Sequence, residues 1–321
     1  MTHAVAEKPA IHETGTSMFV NGLFPRRRSL VIAVGVVLGF LLAYAWSPQL
    51  ADDQIGFNAA DAMLGHNALT TPIAGVTSGV LFAFVSGLAG SFTACNVMVL
   101  GAVGPLVGES ALSRRESLAR MARPIGWLAV GMLPLSALYG ALVGVFGTHM
   151  PQFSTTHSPG LSPRIIQAMT DFGVIGVVMI VLGLAAAGVV PDPLAAAISR
   201  RFRNAPLILM GMLIGAFLIG RPYPLFGQMF RSAAQHHNPL YGAAAFALQS
   251  LGNIVVMSLI VLLISVVLRG RAGRWLAAEP ARVSALTASG FLIAGVFAVL
   301  YWDVRVLHLM GYIWFPTAPW H

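Results

Sequence analysis

Long apolar runs alternate along this chain with short polar or arginine-rich stretches. A helix needs about 20 apolar residues to cross a hydrocarbon core about 30 Å thick. Seven runs are long enough to predict membrane spans. They run from Ser29 to Trp46, Ile73 to Val107, Ile125 to Phe146 and Ile165 to Val190. A fifth begins near Pro206 and passes Gly220, a sixth covers Leu240 to Leu268, and a seventh covers Ala285 to Tyr301. The expected fold class is therefore an all-α polytopic membrane protein with about seven spans.

Two of these runs are interrupted. The second has 35 residues, which as one straight helix would extend about 52 Å, far more than the core requires. Its middle carries Gly87, Gly90, Ser91, Thr93 and Asn96, and Gly104-Pro105 follows. The fifth run contains Pro222 and Pro224, each of which removes an amide donor from the helical ladder. Gly90, Pro222 and Pro224 are the expected helix-breaking positions. With the first span set aside, six spans form two groups of three, and an interrupted helix leads each group. Because three is odd, the groups run in opposite directions through the membrane. Such 3+3 inverted repeats with broken helices place binding centres near the bilayer midplane in transporters. The chain divides accordingly into a tail (1–28), a leading span (29–46), a first repeat (73–190), a second repeat (205–301) and an aromatic tail (302–321).

Composition supports the membrane reading. Of 321 residues, 57% are hydrophobic and 9% charged, whereas soluble domains carry about 25% charged residues. The net charge of +8 does not point to nucleic acid, because the arginines cluster between apolar runs. Arg26 to Arg28, then Arg114, Arg115, Arg120 and Arg123, then Arg200, Arg201 and Arg203, then Arg269, Arg271, Arg274 and Arg282 all fall on one face if there are seven spans. Basic loops stay cytoplasmic. The expectation is a cell (inner or plasma) membrane protein with a cytoplasmic N-terminus and an external C-terminus.

Candidate chemistry is sparse. The single cysteine, Cys95, forms no intramolecular disulfide and belongs to no zinc-type spacing; it is the candidate thiol. Arg221 lies deep in the fifth run, where a charge pairs or lines a polar cavity. Asp171 and Asp303 lie toward the same face and are its candidate counter-ions. In the sixth span Gln249 and Asn253 share a helix face with Ser250 beside them, and Thr93 and Asn96 are expected to meet them across the repeat interface. Arg221, Asn96, Thr93, Gln249 and Asn253 form the expected substrate-binding set. His236, His237 and His308 carry imidazoles suited to a soft metal, but adjacent loop histidines are commonly solvated, and no metal or cofactor is assigned. No catalytic triad, phosphate loop or haem-attachment motif occurs, so an enzyme acting on soluble substrates is not expected.

The segment Phe84-Val-Ser-Gly-Leu-Ala-Gly-Ser-Phe-Thr-Ala-Cys95 resembles the first helix of the CcdA and DsbD transmembrane family. Cys95 falls on that family's first redox cysteine, and Ala94 replaces the usual preceding proline. Gly215 through Phe226 resembles the family's second motif. Pro224 matches its second proline, while Arg221 stands where the second cysteine belongs. The resemblance covers about 200 residues, from the second span to the seventh. It implies a role in cytochrome c maturation or in envelope thiol and metal homeostasis. Thiol relay proceeds through a mixed disulfide that a second thiol resolves. Either a partner supplies that thiol (a thioredoxin-like protein, a cytochrome c or a metal chaperone) or the scaffold serves another task. The alternative is a transporter of a small anion or metal complex through the inverted-repeat centre.

Overall fold

The computed structural model describes residues 24–47, 49–73, 75–90, 114–154, 161–191, 202, 204–220, 224–267, 275 and 279–319. Described secondary structure is helical throughout, with no strand among the described residues. Nine helices cover most of it: α1 (Arg28–Ala45), α2 (Asn58–Leu64), α3 (Gly75–Gly90), α4 (Arg114–Phe146), α5 (Pro163–Ala186), α6 (Ala205–Gly220), α7 (Pro224–His236), α8 (Pro239–Val267) and α9 (Pro280–Ala298). A π-helical stretch, Val299–Val304, and a short helix α10 (Arg305–Leu309) extend α9.

Local sequence explains the helix boundaries. α5 starts at Pro163, whose fixed φ suits a first helical position, and Ser162 accepts a hydrogen bond from the Ile165 amide at 3.4 Å. It ends before Gly188, whose φ of 74° favours glycine. The Asn238 side chain accepts from the Leu240 and Tyr241 amides at 2.9 and 3.2 Å and so caps α8. α1 stops at Trp46, which turns to extended backbone before Pro48.

Five helices are long and apolar enough to cross a membrane: Arg28–Ala45, Pro124–His149, Pro163–Ala186, Pro239–Ile260 and Ala281–Leu309. A sixth crossing results if α6 and α7 are one bent span. These lengths and compositions make the chain a multi-pass membrane protein. The expected second span is described only as the apolar helix α3, since residues 91–107 lie outside the described residues. The last crossing helix runs past its expected end at Tyr301. Trp302 is drawn inward by stacking on Phe172, with centroids 4.3 Å apart, and Arg305 is buried over the Tyr301 ring.

Two cores result. One gathers α5, α6 and α9 around Phe172, Met179, Phe217, Phe291 and Phe297. The other gathers α3, α4, α7 and α8 around Phe82, Phe226, Phe230 and Phe246. Glycines set the helix approaches. A Cβ on Gly131 would overlap the Ile208 carbonyl, and one on Gly211 would overlap the Leu128 carbonyl, so α4 and α6 cross backbone to backbone. On the other side Gly252 abuts the Phe84 carbonyl and Gly87 abuts the Gln249 carbonyl, joining α8 to α3. Gly140 and Gly242 face each other where α4 meets α8, and Gly176 and Gly295 do so where α5 meets α9. Close backbone approach of this kind is how membrane helices associate without a hydrophobic driving force.

Candidate functional site

α6 and α7 are separated by three residues, 221–223, and their axes differ by 82°. Pro224 opens α7, where its missing amide donor is harmless. Polar side chains from α4 and α5 gather at the end of α6. Gln167 donates from Nε2 to the Ile219 carbonyl at 2.9 Å and to the Tyr139 hydroxyl at 2.8 Å. Tyr139 in turn donates to Gln152 Oε1 at 2.5 Å. One helical turn on from Gln167, Asp171 Oδ2 accepts the Gly220 amide at 3.0 Å. Gln167 and Asp171 share a face of α5 and together hold two successive backbone groups of α6. A Cβ on Gly220 would lie 2.8 Å from Asp171 Oδ2, so glycine lets the carboxylate approach this closely.

The carboxylate is placed against ordinary helix electrostatics. The last turn of a helix carries partial negative charge, which favours cations. An unaccompanied carboxylate there is unfavourable, so its location calls for a positive or proton-bearing neighbour.

Two further groups meet α5 beside Asp171. Phe172 stacks on Trp302 and, at 5.6 Å, on Phe217. Gly173 leaves room for Asp303, whose carboxylate oxygens would lie 3.1 and 3.2 Å from a Cβ placed there. Asp303 Oδ2 is buried with no hydrogen-bond partner among the described residues. It sits in the π-helical stretch, and π turns inside α-helices recur at functional sites. Both expected counter-ion carboxylates, Asp171 and Asp303, are thus brought to one short segment of α5.

Gln249, Ser250 and Asn253 are buried in α8. Ser250 donates to Ser136 Oγ of α4 at 2.6 Å. Ser136 also lies 3.5 Å from where a Cβ on Gly215 of α6 would be. Tyr139 follows Ser136 by three positions, so one face of α4 touches both the α8 polar set and the Gln167 network. Gln249 is 0% exposed, and among the described residues neither amide atom has a hydrogen-bond partner. An unsatisfied buried polar group costs about 1–3 kcal/mol, so packing alone does not explain this one.

Gly90 is the last described residue of α3. Cys95, Thr93, Asn96, Arg221 and Pro222 lie outside the described residues. The histidines do not converge: His236 bonds the Ser232 carbonyl through Nδ1 at 2.7 Å, and His308 accepts the Phe315 amide at 3.2 Å. Among the described residues no three His, Cys, Asp or Glu side chains group as a metal site. Gln167, Tyr139, Gln152 and Ser136 were not among the sequence-derived candidates. Their signal was present in part, since Gln167 and Asp171 stand four apart in a largely apolar span.

Fold and site define an α-helical multi-pass membrane protein with a polar cluster at a helix break. No protein-family model, no curated protein and no solved structure matches the chain.

Proposed function

We propose that the chain is a carrier built as a 3+3 inverted repeat, moving a small anion or metal complex past the α6–α7 break. The observation that carries this reading is the grip of Gln167 and Asp171 on the Ile219 and Gly220 backbone. Transporters bind substrate at such interrupted helices, where freed backbone groups and ionisable side chains meet. Arg221 is the next residue in the chain. As substrate ligand or counter-ion, it supplies the positive charge that the Asp171 position calls for. Gln249, Asn253, Thr93 and Asn96 complete the polar set.

The glycine register supports the repeat. A shift of 124 residues carries Phe84, Gly87 and Leu88 onto Ile208, Gly211 and Met212. A shift of 121 carries Leu128 and Gly131 onto Gln249 and Gly252. The contacts transfer as well: Gly131 approaches Ile208 O and Met212 N, and Gly252 approaches Phe84 O and Leu88 N. α4 pairs with its counterpart α8, and α5 with α9, as helices related by a two-fold axis would. Seven spans follow once α3 continues into the 91–107 run. The arginine clusters then place the N-terminus in the cytoplasm and the C-terminus outside.

A second reading keeps the CcdA and DsbD resemblance, with Cys95 as a thiol serving cytochrome c maturation or thiol and metal homeostasis with a partner. The same register favours attention to that residue. It equates Cys95 with Ile219 and Asn96 with Gly220, the two residues held by Gln167 and Asp171. It does not equate Cys95 with Arg221, so the repeat offers the thiol no counterpart there.

Uptake of inorganic anions and of copper and zinc complexes by purified protein in liposomes separates the readings. Carriage requires flux of at least one of them, with Cys95→Ser retaining it. No flux, combined with loss of cellular function in Cys95→Ser, overturns carriage in favour of the thiol relay.

A further inference from the structure

A second polar feature lies where α1 begins, away from the helix break. Phe24 packs its ring against Gly188, where a Cβ would lie 2.6 Å from the ring carbons. Arg28 donates to the Gly188 carbonyl at 2.7 Å and lies over the Phe24 ring at 5.2 Å. The start of α1 is thereby fastened to the end of α5. The fastening uses Arg28 and leaves Arg26 and Arg27 exposed at the mouth of a shallow cleft whose apolar wall is Leu30, Ile32 and Val189.

Below this cleft α1 presents an apolar stripe to the outside. Leu30, Val34, Val37 and Leu41 are 56%, 44%, 54% and 49% exposed, and their spacing places them on one helix face. The opposite face, Gly35, Gly39 and Ala43, is the buried one, and Gly35 and Gly39 meet α9. Two cations at the head of an open apolar track match one kind of molecule: a phosphate group joined to acyl chains.

From this arrangement we infer that the α1–α5 cleft is a binding site for an anionic phospholipid. Its phosphate sits between Arg26 and Arg27, and an acyl chain lies along Leu30, Val34, Val37 and Leu41. Arginine suits this task because its planar donor fork matches phosphate oxygens. The apolar stripe selects lipid over free phosphate, since inorganic phosphate gains nothing from Leu30 or Val189. Bound there, the lipid braces the start of the leading helix, whose far end is held on α9 by Trp46 against Phe297 at 5.9 Å.

Native mass spectrometry of the full chain in neutral detergent tests this, with phosphatidylglycerol, phosphatidylcholine and inorganic phosphate as probes. Phosphatidylglycerol is expected to bind in preference to phosphatidylcholine, and inorganic phosphate at millimolar concentration is expected not to displace it. Arg26→Gln/Arg27→Gln should weaken phosphatidylglycerol binding about 30-fold, the combined effect of two arginines at a charged lipid surface. Arg282→Gln is the control. Arg282 lies at the start of α9, which runs alongside α1, and pairs with Glu279 at 3.1 Å; its loss should leave binding unchanged. Three results overturn the proposal: undiminished binding by the double variant, equal weakening by Arg282→Gln, or full displacement by inorganic phosphate.

Discussion

The α4–α6 and α3–α8 crossings make alike glycine contacts with different side chains around them. In each, two glycines seat against carbonyls of the facing helix, at positions that match after one fixed shift per helix. Yet α4 carries Leu128, Ala129 and Met132 where α8 carries Gln249, Ser250 and Asn253. Packing of this geometry is therefore satisfied by apolar residues on one side of the molecule. Polar residues at the matching places are not needed to make the crossing, and one of them, Gln249, is buried with both amide atoms unpaired among the described residues. The difference teaches which polar groups the scaffold requires and which it carries for another purpose.

The largest effects should come from the glycines. Gly131→Ala and Gly252→Ala each place a methyl group on a backbone carbonyl and should destabilise by about 1–3 kcal/mol. Unfolding in mixed detergent measures this, and similar losses at the two sites are expected. A full loss at one and none at the other would break the equivalence of the crossings. Exchanging the side chains comes next. Gln249→Leu removes an unsatisfied amide and should stabilise by about 1–2 kcal/mol while abolishing flux. Leu128→Gln should destabilise by a similar amount and leave flux intact. If both variants lose flux alike, the asymmetry between α4 and α8 has no functional meaning. The smallest effect is expected at Ser136→Ala, which removes the bond to Ser250. Interhelical hydrogen bonds in membranes average about 0.6 kcal/mol, so a large stability loss there would show that the α8 polar set is structural.

Much of the architecture was legible because apolar length is written locally. Ser29 to Trp46 anticipates α1 within a residue or two. The burial of Gln249 and Asn253 on one face followed from their spacing of four. The network around the break was not legible in the same way. Gln167 and Asp171 have a recognisable spacing, but nothing local says that they grip Ile219 and Gly220, some fifty positions away. The end of the last helix escaped for a related reason. Trp302 reads as the start of an aromatic tail beyond the span. In the fold, Trp302 stacks on Phe172 and Asp303 sits against Gly173. The likeness of the glycine contacts at the two crossings also needed the structure, since it rests on which glycine faces which carbonyl.

The proposed centre stands or falls on Asp171. Asparagine there keeps an oxygen able to accept the Gly220 amide and removes the charge at the end of α6. The decisive measurement is uptake of the carried ion into liposomes by wild-type protein and by Asp171→Asn folded to the same extent. The carrier reading predicts a loss of at least about tenfold, the effect of removing roughly 1.4 kcal/mol of interaction with the ion or its paired cation. Wild-type uptake by Asp171→Asn would contradict it.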